Sequence, residues 1–149
     1  MSAKNTLHTL LDKTTWTTAT LGNMCDMYQP KTISLKDMIP NGAFPVFGAN
    51  GKIGRYNRYN HEQPEVLLGC RGTCGIVNMS EPRSWITSNA MVIRPKNEQY
   101  LKQSFLYYLL MGGANLQHCI TGTAQPQITR ASLIPITLPL PPPPKNSRN

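Results

Sequence analysis

The sequence predicts an α+β domain, a twisted, mostly antiparallel and partly barrel-like β-sheet of short strands with a few covering helices. Three observations carry that expectation. Short apolar runs recur roughly every 8 to 12 residues with turn residues between them, the spacing of a meandering sheet. Thirteen prolines and eleven glycines interrupt 149 residues, too many breaks for a helical bundle. A single longer stretch, Glu98 to Met111, carries apolar residues at helical spacing and predicts a helix that covers one sheet face.

The elements follow in chain order. Residues 1–15 are polar and Thr-rich and read as a loosely held entry segment. Trp16 to Thr20 alternates weakly, as a short strand does. Leu21, Met24, Cys25 and Tyr28 fall on one helical face and predict a helix over 21–28. Ser34-Leu35-Lys36-Asp37 is a capping-box variant that opens a brief helix, which Pro40-Asn41-Gly42 stops. Pro45-Val46-Phe47, Glu65 to Cys70, Gly75 to Asn78, Trp85-Ile86-Thr87 and Ala90 to Arg94 each read as strands. Gly48-Ala49-Asn50-Gly51 reads as the turn of a hairpin. Asn97 is the predicted cap of the long helix. Its stripe is Leu101, Phe105, Tyr108 and Leu109, and Gly112-Gly113 ends it. A polar turn over 121–127, a short segment Ile128 to Leu133 and a strand-like Ile136-Thr137-Leu138 follow. Pro139 to Pro144 predicts extended polyproline II. Trp85, Val92 and Phe105 are assigned to the core. The domain boundaries are thus an entry segment 1–15, a domain 16–140 and a Pro-rich polar tail 141–149.

Charge narrows the partners. Fifteen Lys and Arg face seven Asp and Glu, a formal charge of +8, while charged residues make up only 15% of the chain. A sparsely charged basic domain points to a polyanion, with nucleic acid ahead of a membrane surface. There is no run of 18 apolar residues to span a bilayer, and Met1 to Leu11 lacks the apolar core of a signal peptide. The expectation is a cytoplasmic protein whose four cysteines, Cys25, Cys70, Cys74 and Cys119, are free thiols.

Catalytic patterns fail one by one. Gly48-Ala49-Asn50-Gly51-Lys52 resembles part of a phosphate loop, but Ile53 stands where Ser or Thr is required and Val46 where the first glycine is. Gly69, Gly72 and Gly75 recur every third residue and do not form a dinucleotide fingerprint. Gly51-Lys52-Ile53-Gly54 matches the GXXG of a KH-type clamp, yet its flanks are strand-like where a KH loop joins helices. Cys70 and Cys74 lack a second ligand pair, so no metal site is expected. No catalytic residue and no cofactor are expected either. The strongest local signal is basic and aromatic: Lys52, Arg55, Tyr56, Arg58 and Tyr59 lie close together, with Arg71, Arg83 and Arg94 on later strands or turns. Cations neutralise phosphates, and Tyr donates to phosphate or packs on sugars. The competing reading is a solvated strand edge on which Lys and Arg oppose aggregation.

An ordered series of motifs then resembles a known family. It runs Thr20-Leu21-Gly22-Asn23; Phe44 to Gly54; Leu68-Gly69-Cys70-Arg71-Gly72-Thr73-Cys74-Gly75-Ile76-Val77-Asn78; Trp85 to Ile93; Thr121-Gly122-Thr123-Ala124-Gln125-Pro126-Gln127-Ile128-Thr129; and Ile136 to Pro142. In this order, over residues 16–142, the chain resembles the target-recognition domain of type I restriction–modification specificity subunits.

The resemblance implies a DNA-reading module without catalytic chemistry of its own, working as a half or truncated specificity subunit. Its implied partners are double-stranded DNA, the methylation and restriction subunits of the same system, and a second specificity subunit. The family's two domains are each followed by a long spacer helix, and no heptad follows Pro142 here. DNA contacts are expected at Lys52, Arg55, Tyr56, Arg58, Arg71, Thr73, Gln125 and Gln127. Tight turns or close backbone approach are expected at Gly48, Gly51, Gly54, Gly72 and Gly75. An amide at Gln125 or Gln127 can pair with adenine, or serve only to satisfy loop backbone. The alternative function is a protein-interaction or regulatory module that binds methylation or specificity subunits, with the proline run as an extended docking segment.

Overall fold

A computed structural model describes residues 16–112, 116–122 and 124–142. The entry segment 1–15, Gly113 with residues 114–115, Thr123 and the tail beyond Pro142 lie outside the described residues. In chain order the elements are β1 (Thr17–Thr20), α1 (Leu21–Met24), β2 (Cys25–Tyr28), β3 (Phe44–Gly48), β4 (Gly51–Tyr56) and β5 (Val66–Gly69). Then come β6 (Val77–Met79), β7 (Trp85–Ile86), β8 (Ala90–Pro95), α2 (Gln103–Gly112), α3 (Arg130–Leu133) and β9 (Thr137–Leu140). Among the described residues they form a four-stranded sheet β2-β8-β5-β6, a three-stranded sheet β4-β3-β7 and a pair β1-β9. All pairings are antiparallel except β3 with β7. The described strands close no barrel, so the barrel-like expectation reduces to separate twisted sheets.

The four-stranded sheet is the centre because its inner strands are apolar on both faces. Strand side chains alternate between faces. Val66, Leu68, Met91 and Ile93 therefore point into one core and Leu67, Ala90 and Val92 into another. The first core is covered by α2, whose buried residues are Leu106 and Leu110. Burying each such side chain contributes roughly 1.5–3 kcal/mol. The second core joins Phe47 of β3 and Ile86 of β7 to the sheet. A continuous apolar run is what a strand buried on both faces requires.

Four expectations are corrected. The helix over 21–28 lasts one turn, with Thr20 Oγ1 accepting from the Asn23 N–H at 3.2 Å. At Cys25 the chain turns extended and pairs with β8. Cys25 and Met27 are buried there and Asp26 is exposed, so the segment satisfies a period of two as well as helical spacing, and the sheet edge decides. The long helix starts at Gln103 rather than Glu98. Asn97 caps a preceding turn, its Oδ1 accepting from the Gln99 N–H at 2.9 Å, and Glu98 accepts from the Gln103 N–H at 3.1 Å. Tyr108 is 68% exposed and does not belong to the buried stripe. Phe105 to Met111 is almost wholly apolar, so periodicity alone had no phase to choose. Finally, Pro139 and Leu140 are not polyproline II but the end of β9, opposite Thr18 and Thr17. A two-stranded pair has an outer edge on which a missing N–H costs nothing.

Other details follow the sequence closely. Asp37 Oδ2 accepts from the Ser34 N–H at 3.1 Å and from its hydroxyl at 2.8 Å, the reciprocal bond of a capping box around a 3₁₀ turn. Val92 is fully buried, Trp85 and Phe105 only partly. The four cysteines are free thiols.

Candidate nucleic-acid interface

The β3–β4 hairpin turns at Ala49-Asn50 and re-enters the strand at Gly51, whose φ of 93° suits glycine. Gly48 and Gly54 lie in the strands beside this turn. The exposed side of β4 and the residues after it carry the predicted cations. Lys52 Nζ pairs with Glu81 at 2.5 Å, with both side chains about half exposed. Arg55 is tied down: Nε donates to the Gly42 carbonyl at 2.6 Å and Nη2 to that of Ala43 at 3.0 Å. Those bonds anchor the segment before β3 and spend part of the guanidinium's donor set. Tyr56 packs edge-on to Trp85 with ring centres 5.4 Å apart, and the Arg58 guanidinium lies 6.0 Å from the same indole.

The other predicted residues sit beyond the end of β5. Gly69 donates to the Ile76 carbonyl and accepts from the Gly75 N–H, closing a loop over Cys70–Gly75. Gly72 and Gly75 take φ of 78° and 91°. Arg71 and Thr73 are exposed on this loop. Thr121 and Gln127 exchange two backbone hydrogen bonds of 2.8 and 2.9 Å, and Ile128 donates to the Cys70 carbonyl. Gln127 is bridged to Arg71. Arg71, Gly72, Gln125 and Gln127 thus line one cleft of about 680 Å³.

The two groups are joined at Gly69. A Cβ there would collide with the carbonyl oxygens of Ala49 and Thr73, so the β3–β4 tip lies directly against the Arg71 loop. Sequence reasoning missed Gly69 in this role and also missed Asn60. The Asn60 side chain donates to the Ile86 carbonyl at 3.0 Å and accepts from the Ile86 N–H at 2.8 Å, pinning the loop after β4 to β7. An Asn in a polar loop is a weak signal for such a clamp. Arg83, at φ 55°, stands on the adjoining segment and pairs with Glu62 at 3.3 Å.

A second cleft, of about 600 Å³, has the opposite character and holds Glu62, Glu65 and Glu98. There Arg94 makes a two-pronged bond to Glu65, 2.6 Å at its shortest, and donates to the Tyr28 hydroxyl at 3.0 Å. Tyr28 also bonds His61 at 2.8 Å. Burial pushes the His61 imidazole below its usual range. Burial raises the thiols too, Cys70 to about 11 and Cys25 to about 12, so both are protonated core side chains at neutral pH. Among the described residues no group of three His, Cys, Asp or Glu is placed to hold a metal ion, and no helix is long and apolar enough to cross a membrane.

Comparison with known proteins gives the family and the fold. The family described as type I restriction modification DNA specificity domain matches residues 13–149. The chain belongs to that family. A putative type I restriction enzyme specificity subunit of Haemophilus influenzae is 28% identical over 106 residues, 68% of this chain and 27% of that protein. The chain therefore spans about a quarter of that relative's length. The S subunit of the type I restriction-modification system from M. genitalium superposes with a TM-score of 0.72 at 19% identity, over 83% of this chain and 34% of that one. A chain from a structural study of complex assembly and conformational transition of the type I system superposes at 0.65 and 20% identity, over 87% and 35%. This specificity domain has the α+β fold of those subunits.

Proposed function

We propose that this specificity domain recognises a short sequence in double-stranded DNA for a type I restriction–modification system and has no catalytic chemistry of its own. The observation that carries the reading is the junction at Gly69, where the β3–β4 tip that leads into Lys52 meets the loop and cleft of Arg71, Gln125 and Gln127. Lys52, Arg58 and Arg71 then bind phosphates or base edges, and Tyr56 supports Arg58 through Trp85. Thr73, Gln125 and Gln127 offer hydroxyl and amide groups to base edges. Arg55 serves mainly to hold the hairpin base. The functional unit is residues 16–140, whose two ends pair as β1 and β9.

Methylation and restriction subunits, and a second specificity subunit, are the proposed protein partners. The family is defined within these systems, and this chain spans only about a third of the S subunits it superposes on. Such a domain works in the cytoplasm beside the DNA. The test is selection of bound duplexes from a random library, followed by gel shift. Enrichment of one short motif is the expected result. Absence of any duplex binding at about 50 mM salt, where phosphate contacts are strongest, rejects the reading.

A further inference from the structure

Two exposed carboxylates face the cations of this interface. Glu81 pairs with Lys52 at 2.5 Å and Glu62 pairs with Arg83 at 3.3 Å. All four side chains are between 48% and 63% exposed, so neither pair is an element of the core. The two pairs share one stretch of surface. Arg83 also donates its backbone N–H to the Glu62 carbonyl, and the loop after β4 bonds Ser84 through Asn60 and His61. Arg58 lies over Trp85, two residues beyond Arg83. Arg71, by contrast, has no carboxylate partner among the described residues. The chain has seven acidic residues, and two of them pair with cations on this stretch of surface.

Resting on the proposed DNA recognition, we infer that Glu62 and Glu81 are specificity-determining latches. They hold Arg83 and Lys52 away from DNA phosphates, so that binding to arbitrary sequence is weak and only a matching target draws the cations across. Phosphate contacts supply most of the sequence-independent affinity and carry no base information. A carboxylate that competes for the same cation therefore lowers non-specific binding more than specific binding. Discrimination against wrong partners by a built-in competing charge is a general route to specificity.

The experiment measures binding of the full chain to random duplex and to its selected target between about 50 and 200 mM salt. Parent, Glu81→Gln, Glu62→Gln and Lys52→Ala/Glu81→Gln are compared. Asp26→Asn, on edge strand β2 of the other sheet, is the control with the same change in charge. Glu81→Gln is expected to tighten random-duplex binding about threefold at the low-salt end. It is also expected to steepen the dependence of log K on log salt by up to about 0.9, one added phosphate contact. The gain on the selected target is smaller, and Lys52→Ala removes the gain. Equal binding by parent and both Gln variants overturns the inference while leaving DNA recognition intact. So does a gain matched by Asp26→Asn, or one that survives Lys52→Ala. A parent that binds no duplex overturns the recognition reading and the latch with it.

Discussion

Gly69→Ala tests the junction on which the interface depends. The added methyl group meets the carbonyl oxygens of Ala49 and Thr73, both backbone atoms that no rotamer change can move. Each must retreat by about 1 Å to regain van der Waals separation. Overpacking of this kind costs roughly 1–3 kcal/mol. Gly69 also carries two loop-closing hydrogen bonds, to Ile76 and from Gly75, at 2.8 and 2.9 Å. Weakening both adds about 1 kcal/mol. The expected destabilisation is therefore about 2–4 kcal/mol, a fall in Tm of roughly 6–15 °C for a domain of this size. Circular dichroism melting measures it. In the folded fraction the β3–β4 tip separates from the Arg71 loop, so duplex affinity falls as well. A Tm within about 2 °C of the parent, with unchanged DNA binding, refutes the argument that backbone approach at Gly69 builds the surface.

Three further outcomes follow from particular contacts. Arg71→Ala removes an exposed cation, so Tm stays near that of the parent while the salt dependence of duplex binding flattens by about 0.9 in log–log slope; a collapse in Tm instead makes Arg71 structural. Arg94→Met strands the Glu65 carboxylate, whose side chain is only 5% exposed. Because Arg94 itself is 47% exposed, water offsets part of the pair, and the expected loss is about 2 kcal/mol, read as a Tm drop of roughly 6–8 °C. His61 has a folded-state pKa below that of the unfolded chain because it is buried. The unfolded chain then binds the proton first, so stability holds above about pH 6.5 and is lost as pH falls from there towards the lowered folded value. Thermal melts of parent and His61→Gln between pH 7.5 and 5.5 check this: the variant flattens the slope, and identical slopes exclude His61 as the cause.

The sequence by itself determined the class of structure and the character of the surface. Apolar runs such as Val66 to Leu68 and Ala90 to Ile93 had to be strands buried on both faces. Glycines at Gly51, Gly72 and Gly75 marked where the chain takes a positive φ. Fifteen cations against seven acids pointed to a polyanion, and the ordered motifs pointed to the family that residues 13–149 match. These are local or additive properties, and a linear chain displays them in full. The tertiary structure alone decided the rest, because it depends on pairing between distant residues. Cys25 to Tyr28 satisfied two periodicities, and only the open edge of β8 made it a strand. Phe105 to Met111 had no polar side to orient it, and only the sheet beneath selected Leu106 and Leu110. Lys52, Arg55 and Arg83 look alike as letters. Only their neighbours, the carboxylate of Glu81, the carbonyls of Gly42 and Ala43 and the carboxylate of Glu62, give each a different task.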